Sequence, residues 1–272
     1  MPIRKALLKK GVTTGPALNI NSKRAARKNR AGRASKRMAR GRRNLQETVM
    51  TEKVTPVRLA SLKAILCNTL SYADQSLPPV KQKRSAPAAR IHLDGLECDN
   101  GDREQYDDPD NALMHYAWEH YAFWRERFPA KADLLAQPGI FGENFSTEGM
   151  SEADICIGDV LKVGSARVQV SWGREACHTM EERFDDPEMP QAMHHLAKNG
   201  WFYRVLEEGD VRVGDVFMLA DRPHPHWTLS RVQQVLFGNE QDVAVLETLQ
   251  SLPYLAAAWR TQFAARLAAL RG

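Results

Sequence analysis

The sequence has few cysteines and no long apolar run, and its first fifty residues hold almost no acidic or aromatic side chain. Four cysteines in 272 residues are too few for a disulfide-stabilised scaffold, and none belongs to a CxxC pair. We therefore expect four separate thiols: Cys67, Cys98, Cys156 and Cys177. No stretch approaches the roughly 18 apolar residues of a membrane span, and the N-terminus lacks a secretory apolar core. These absences predict a cytoplasmic protein with no membrane contact.

Basic residues are concentrated at the N-terminus, and the rest of the chain is acidic. Residues 1–50 hold 15 of the 38 Lys and Arg residues and a single acid, Glu47. The remaining 23 basic residues face 32 acidic ones over residues 51–272. The densest basic segment, residues 23–43, has Met38 as its one large apolar side chain, so it cannot bury enough apolar surface to offset chain entropy. We predict a disordered basic tail over residues 1–50.

Three interpretations of this tail are open. A flexible arm rich in Lys and Arg would bind nucleic-acid phosphates without sequence specificity, through residues 23–43. An Arg-rich, acid-poor leader is also typical of a transit peptide. In the third interpretation the start codon is assigned too early and Met50 is the natural first residue. None of the three places enzyme chemistry in the tail.

From Thr51 onward the pattern is that of a folded domain made of short strands. Alternating apolar residues and turn signals mark these strands, and an aromatic-rich periodicity marks a short buried helix. Strands are predicted over residues 58–70, over a hairpin at 160–172 that turns at Gly164-Ser165, and over 213–219, with the helix at 117–128. Short strands with few helices between them favour a β-barrel or sandwich over an alternating α/β sheet.

The C-terminal part of the sequence is helical in character. Thr228 is placed to cap a helix that ends at Gly238. Apolar residues at intervals of three or four over residues 243–270 predict two further helices. We therefore predict a barrel domain over residues 51–222 and a three-helix domain over residues 223–272.

Several segments occur in an order that resembles one known family. They are GIFGENFSTEG from Gly139, VSWGREAC ending at Cys177, GWFYRVLEEG from Gly200 and DRPHPHWTLSRV from Asp221. The ordered set is similar to the MOSC-domain proteins of the YiiM type. That family joins a β-barrel MOSC domain to a C-terminal three-helix domain, which agrees with the architecture predicted above from the sequence patterns.

The resemblance implies a molybdenum cofactor, molybdopterin, in which a pterin dithiolene and one protein cysteine hold the metal. Cys177 stands at the family's ligand position, where a soft thiolate suits molybdenum and would tune it as a spectator ligand. Arg174 would favour the thiolate and meet the anionic part of the cofactor. Glu143, Asn144 and Thr147 offer polar groups to the pocket, and the last two would hydrogen-bond the pterin or its phosphate. The alternative for Cys177 is a buried, inert thiol.

The sequence departs from the family pattern at two places. Where relatives have His-Gly-Gly, this chain has Tyr106-Asp107-Asp108, and two carboxylates there would crowd or repel an anionic cofactor. Around Cys177 the neighbouring residues also differ, and His178 follows it directly. A Cys-His nucleophile and a zinc site are therefore alternatives, the latter built from Cys177, His178, His194 and His195. Both are weakened, because adjacent strand residues point to opposite faces and the spacing matches no usual zinc-ligand pair.

The reaction implied by the resemblance is the reduction of N-hydroxylated compounds, such as 6-hydroxylaminopurine, as a detoxification of base analogues. An external reductase would have to donate the electrons, because the sequence contains no flavin, iron–sulfur or nucleotide motif. Glu143, Glu175 and His178 are the candidates for proton delivery. The alternative class is a non-catalytic MOSC-like protein that binds a pterin, a sulfur carrier or, through its tail, a nucleic acid.

Overall fold

The computed structural model describes residues 56–68, 83–99, 108–238 and 240–272. The predicted basic tail, with its three interpretations, lies outside these residues, as do Tyr106 and Asp107. Residues Thr51–Gly272 belong to one compact unit. Among the described helices, none has both the length and the apolar character needed to cross a membrane.

Seven strands close into a β-barrel. The described residues form eleven strands, in chain order β1 (Val57–Asn68), β2 (Lys83–Ala86), β3 (Ala88–His92), β4 (Gly95–Leu96), β5 (Leu113–Ala117), β6 (Phe145–Glu148), β7 (Val160–Val163), β8 (Ala166–Gly173), β9 (Trp201–Glu207), β10 (Gly209–Arg212) and β11 (Val216–Asp221). The order around the barrel is β11-β7-β8-β9-β5-β6-β1, and β1 pairs with β11 to close it. This arrangement confirms the predicted barrel.

The long first strand closes the barrel because it bends. Its first residues pair with β11, its middle with β6 and its last four residues with β2, which extends the sheet beyond the barrel. Register shifts occur between Arg58 and Ala60 and between Leu62 and Ala64. Such bulges bend a strand and increase its twist, so one segment can serve three partners. A separate sheet of order β10-β3-β4 lies outside the barrel.

The barrel interior is filled by large side chains that alternate along the strands. Leu62, Phe145, Val168, Trp201 and Phe217 are all fully or almost fully buried and belong to one core cluster. His115 lies among them, stacked on Trp201 with ring centroids 4.1 Å apart. The barrel is therefore a packed core, and a binding site has to lie outside it or at its end.

Six α-helices occur in the part of the chain that the structure describes: α1 (Glu119–Arg127), α2 (His178–Phe184), α3 (Met189–His195), α4 (Leu229–Phe237), α5 (Val243–Gln250) and α6 (Ala257–Arg271). The predicted cap of α4 is confirmed, because the Thr228 side chain accepts the Arg231 backbone N–H at 3.3 Å and Gly238 ends the helix. The three C-terminal helices place Val232, Leu246 and Phe263 in the same core cluster as the barrel. The domain boundary at residues 222 and 223 stays a prediction.

Two local expectations need correction. The strand predicted at residues 213–219 occurs at Val216–Asp221, because Val213 and Gly214 form a turn before it, closed by the Asp215 N–H on the Arg212 carbonyl. The expectation of four separate thiols is wrong for Cys67 and Cys98, which form a disulfide with their Cα atoms 5.4 Å apart. No sequence pattern marks this pair, because a separation of 31 positions says nothing about which segments the fold brings together.

Candidate functional site

A cleft of about 270 Å³ lies beside the start of β5, between segments that are far apart in the sequence. Its walls come from the last residue of β1, the first residue of β2, the segments at Asp94 and Asp99, the loop at residues 141–144, and the run from Arg174 to Arg183. The lining includes Asn68, Lys83, Asp99, Met114, Phe141, Asn144, Arg174, Cys177, Met180, Arg183 and Phe202. The volume is close to the lower end of the range for sites that bury a small organic ligand.

Cys177 is an accessible thiol in this cleft. It is the N-cap residue of α2, its backbone is extended, and its side chain makes no capping hydrogen bond. The structure leaves it exposed, which contradicts the buried and inert alternative. The other free cysteine, Cys156, is only 1% exposed, and burial raises the pKa of its thiol to about 11. Of the two free cysteines, Cys177 is therefore the one that can meet a ligand.

The segment before Cys177 is fixed by backbone contacts on both sides. It continues directly from β8, and the Arg174 N–H donates to the Gly200 carbonyl at 3.0 Å. The Ala176 N–H donates to Nε2 of His194 at 2.9 Å. His194 lies at the end of α3, as predicted, and burial lowers the pKa of its ring, which suits a neutral acceptor.

The last helix fixes the same segment through a side chain. The Glu175 carboxylate accepts from Nε1 of Trp259 at 2.8 Å and from Nε2 of Gln262 at 2.8 Å. Trp259 is fully buried, so this contact ties the cysteine segment to α6. Glu175 therefore has a structural role, which weakens its candidacy for proton delivery.

Three cationic side chains line the same cleft as the Cys177 thiol. They are Lys83, Arg174 and Arg183. Arg183 is 9% exposed; one of its terminal nitrogens donates to the Ile140 carbonyl, and its Nε has no partner among the described residues. Burial, aided by the neighbouring Arg174, lowers its pKa to about 10, so it remains charged at neutral pH. A buried guanidinium with a spare donor favours an anionic ligand.

Asn144 lies in the cleft wall, but the protein itself uses its amide. Its Oδ1 accepts the Met114 N–H at 3.0 Å, and its Nδ2 donates to Asp99 Oδ2 at 2.6 Å and to the Leu66 carbonyl at 3.3 Å. Asn144 thus links the start of β5, the last part of β1 and the Asp99 segment to one another. Its contribution to the site is to hold the wall in place.

Glu143 and Thr147 are not part of the cleft surface. Glu143 is fully buried, and its Oε1 accepts the Tyr121 hydroxyl at 2.5 Å and the Gly139 N–H at 2.8 Å. Burial raises the pKa of this carboxyl group, although both hydrogen bonds act in the opposite direction. Thr147 Oγ1 is 2.8 Å from His115 Nε2, inside the barrel. These two residues shape the loop and the barrel, and the structure does not bring them to the thiol.

The predicted crowding by carboxylates is not seen at Asp108. Its side chain accepts the Asp110 N–H at 2.9 Å, caps a short 3-10 helix at Pro109–Asn111 and is exposed. It does not line the cleft. The acidic residues that do line it, Asp94 and Asp99, lie in a segment that the sequence analysis did not single out.

The zinc alternative finds no support in the part of the chain that the structure describes. No group of three or more His, Cys, Asp or Glu side chains there could hold a metal ion. Nε2 of His194 accepts the Ala176 N–H, and its ring stacks on Phe237 with the ring centroids 3.9 Å apart. His178 is exposed as the first residue of α2 and does not line the cleft, which weakens the Cys-His nucleophile as well.

Sequence reasoning missed most of the polar lining residues, among them Asn68, Lys83, Asp99 and Arg183. Arg183 is six positions after Cys177, a spacing that places two residues on different faces of a helix, so the local pattern did not reveal this second cation. Asn68 and Asp99 become neighbours only through the disulfide and the strand pairing. No local pattern marks such a contact.

Two family models match separate parts of the chain. The MOSC domain matches residues 101–218, and the YiiM-like, 3-alpha helix domain matches residues 227–270. Both matches agree with the barrel and the C-terminal helices described above.

Three curated relatives and one solved structure extend these matches. The uncharacterized protein YflK of Bacillus subtilis is 30% identical over 72% of this chain and 87% of its own length. Protein YiiM of Escherichia coli is 38% identical over 47% of this chain, but the match spans 57% of YiiM. A protein called "Reductase" from Gibberella moniliformis is 33% identical over 53% of this chain and 26% of its own length. The crystal structure of Escherichia coli YiiM superposes with a TM-score of 0.63 at 28% identity, covering 77% of this chain and 94% of that one.

Proposed function

Because this chain belongs to the MOSC-domain proteins that carry a YiiM-like three-helix domain, we propose that its cleft binds a molybdenum cofactor through Cys177. We propose further that the protein reduces N-hydroxylated compounds. The observation that carries the proposal is the placement of one exposed free thiol in the same cleft as two guanidinium groups. The name of the reductase relative supports a reductive role in general.

The residues of the cleft fit such a cofactor chemically. An exposed cysteine sulfur is a soft donor that suits molybdenum. The spare Nε of Arg183 would pair with an anionic group, and Lys83 and Arg174 add positive charge around it. Oδ1 of Asn68 is a buried acceptor without a partner among the described residues, and it could receive an N–H of a pterin ring.

Each side chain then has a defined task. Cys177 would hold the metal, Arg174 and Arg183 would bind the anionic part of the cofactor, and Asn144 would keep the wall beneath them in place. When bound, the cofactor supplies the two-electron chemistry that amino-acid side chains lack. Phe141, Met180 and Phe202 provide apolar surface that would exclude water from one side of the cleft.

The substrate class follows from the reaction that we propose. Reduction of an N-hydroxyl group to an amine needs two electrons and two protons and releases water. 6-Hydroxylaminopurine is our proposed representative substrate, and an external reductase is the proposed electron donor. Of the three candidates for proton delivery, His178 is the exposed residue that follows Cys177 directly, and it would take up protons from solvent outside the cleft lining.

The experiment is a measurement of bound molybdenum and of substrate reduction in matched variants. Full-length protein is expressed in a host that makes the cofactor, together with Cys177→Ser and the control Cys156→Ser. We expect wild type and Cys156→Ser to hold molybdenum and to reduce 6-hydroxylaminopurine with a chemically reduced viologen dye as donor. Cys177→Ser should lose both properties. Molybdenum without reduction would contradict the proposed activity and favour the non-catalytic binding protein.

A further inference from the structure

The Cys67–Cys98 disulfide joins two sheets at the edge of the cleft. Cys67 is near the end of β1, in the barrel, whereas Cys98 follows β4 of the small outer sheet. Among the described residues, no strand of one sheet pairs with a strand of the other. The bond therefore connects a barrel strand to a segment of the outer sheet by a covalent link.

The residue after each cysteine lines the cleft. Asn68 and Asp99 are both lining residues, and the Asn68 N–H donates to Asp99 Oδ1 at 2.5 Å. The other carboxylate oxygen of Asp99 accepts from the Asn144 amide at 2.6 Å, and Lys83 Nζ is 4.0 Å from Oδ1. One carboxylate thus contacts three lining residues, and it belongs to the residue directly after the disulfide-bonded Cys98.

The two sulfur-bearing residues differ in access. Cys67 is fully buried, whereas Cys98 is only partly buried. Thiol–disulfide exchange begins with attack of a thiolate on a sulfur that it can reach. Attack on Cys98 would leave the buried Cys67 as the departing thiol.

We propose that the Cys67–Cys98 pair is a redox-sensitive clasp on the Asp99 wall of the cleft. A dithiol reductant of the dithiothreitol or thioredoxin class forms a mixed disulfide with Cys98, and Cys67 leaves as a thiolate that takes up a proton. The second thiol of the reductant then releases Cys98 as a thiol, and the reductant becomes a disulfide. Overall, two electrons and two protons pass to the protein. The Asp99 segment loses its covalent link to β1, and its bonds to Asn68 and Asn144 weaken.

The clasp stands independently of the proposed cofactor, and its test uses full-length protein without any ligand. Oxidised protein and protein reduced with dithiothreitol are compared by amide hydrogen exchange and by mass spectrometry of alkylated Cys67 and Cys98. We expect reduction to speed exchange of the Asn68 amide at least tenfold. The Val170 amide, which donates to the Asp159 carbonyl at 2.9 Å inside the barrel wall, should be unchanged. Reoxidation should restore the slow exchange.

Three variants distinguish the redox-sensitive clasp from a purely structural disulfide. Cys67→Ser combined with Cys98→Ser should show fast Asn68 exchange that no longer responds to dithiothreitol. Cys156→Ser, the control, should respond like wild type. Asp99→Ala keeps the disulfide but removes the acceptor, so its Asn68 amide should exchange fast in both redox states.

Three results would overturn the clasp. Asn68 exchange that stays at its oxidised rate after reduction would show that the bond has no effect on the cleft wall. Equal acceleration at Asn68 and Val170 would mean that reduction unfolds the barrel. Resistance of the pair to dithiothreitol until the protein is denatured would show that reductants do not reach Cys98 in the folded state.

Discussion

Buried ionisable side chains next to the cleft determine its chemistry at the scale of single residues. Arg183 and Glu143 are both buried, and each has one polar atom without a partner among the described residues. A spare donor on a buried cation and a spare acceptor on a buried carboxylate each cost free energy unless a ligand or a proton satisfies them. We therefore expect Arg183 to act in binding the cofactor and Glu143 to make the stability of the protein depend on pH.

Arg183→Gln should weaken retention of the cofactor. A hydrogen bond to a charged group contributes about 1.5–3 kcal/mol, so loss of this guanidinium should lower affinity roughly tenfold or more. The measurement is molybdenum remaining per chain after dialysis. Arg167→Gln, whose partner Glu207 is exposed at the end of β9, is the matched control and should retain the wild-type amount. Equal retention by both variants would contradict the role of Arg183.

Glu143→Gln should change how stability depends on pH. Burial raises the pKa of Glu143 in the folded state, so the folded protein holds this proton more tightly than the unfolded chain. Wild type therefore loses stability as the pH rises from about 4 through the raised pKa, because ionisation costs more in the folded state. The neutral glutamine can still accept from Tyr121 and Gly139 and avoids this cost.

Urea unfolding of wild type and Glu143→Gln at pH 4 and pH 8 checks this prediction. The difference in free energy of unfolding should shift in favour of the variant at the higher pH. Glu148→Gln, an exposed carboxyl group on the neighbouring strand, serves as the control and should show no such shift. A difference that is constant with pH would contradict a raised pKa at Glu143.

Single residues were predicted unevenly from the sequence. Cys177 and Arg174 could be predicted to share one site, because they lie in one short segment that resembles the family's, and both line the cleft; their role toward a cofactor stays a prediction. Thr147 was misplaced, because strand alternation alone does not tell which face of a closed barrel meets a ligand. Asn68 and Asp99 could not be predicted, because their contact depends on a disulfide between distant segments.

At the scale of elements, the C-terminal helices hold the strand that leads to the thiol. β8 ends at Gly173, where a Cβ atom would lie 2.4 Å from Nε2 of Gln233 on α4 and 2.5 Å from the Trp259 ring on α6. Both side chains are fully buried, and Trp259 also holds Glu175. The helices are thus packed directly against the start of the cysteine segment.

Gly173→Ala should destabilise the protein and disturb the site together. Overpacking a filled core typically costs about 1–3 kcal/mol, and neither neighbour can move into solvent. We expect a lower urea midpoint and faster amide exchange at Arg174 and Ala176. Gly142→Ala is a useful comparison, because a Cβ there meets no atom within 4 Å, although its φ of +85° adds backbone strain. A wild-type exchange rate at Ala176 in Gly173→Ala would contradict the coupling.

Elements with a strong local pattern were predicted well, and those set by long-range pairing were not. The hairpin of β7 and β8, the buried helix α1 and the capped helix α4 all occur where the sequence patterns predicted them. The bulges of β1 and the outer sheet left no local signal, because they arise from which strands the closed barrel brings together.

At the scale of the whole molecule, charge separates the first fifty residues from the folded unit. Residues 1–50 carry 15 basic residues and one acid, whereas residues 51–272 are acidic overall. All the described residues of the cleft, including Cys177 and Arg183, belong to the compact unit Thr51–Gly272. Cofactor binding and nucleic-acid binding should therefore be separable.

Removal of residues 1–49 should leave molybdenum content and thermal midpoint unchanged. Any binding of the full chain to duplex DNA should fall steeply with salt and should disappear in the shortened protein, since it would rest on Lys and Arg contacts to phosphates. Fluorescence anisotropy at 50 and 200 mM salt measures this. Loss of molybdenum from the shortened protein would contradict the assignment of the site to the folded unit.

The most direct test of the account is molybdenum per chain in wild type, Cys177→Ser and Cys156→Ser, all prepared from a cofactor-producing host. The account predicts close to one molybdenum per chain in wild type and in Cys156→Ser, and almost none in Cys177→Ser with its fold intact. Equal molybdenum in all three proteins, or none in wild type, would contradict the assignment of Cys177 as the residue that holds the cofactor.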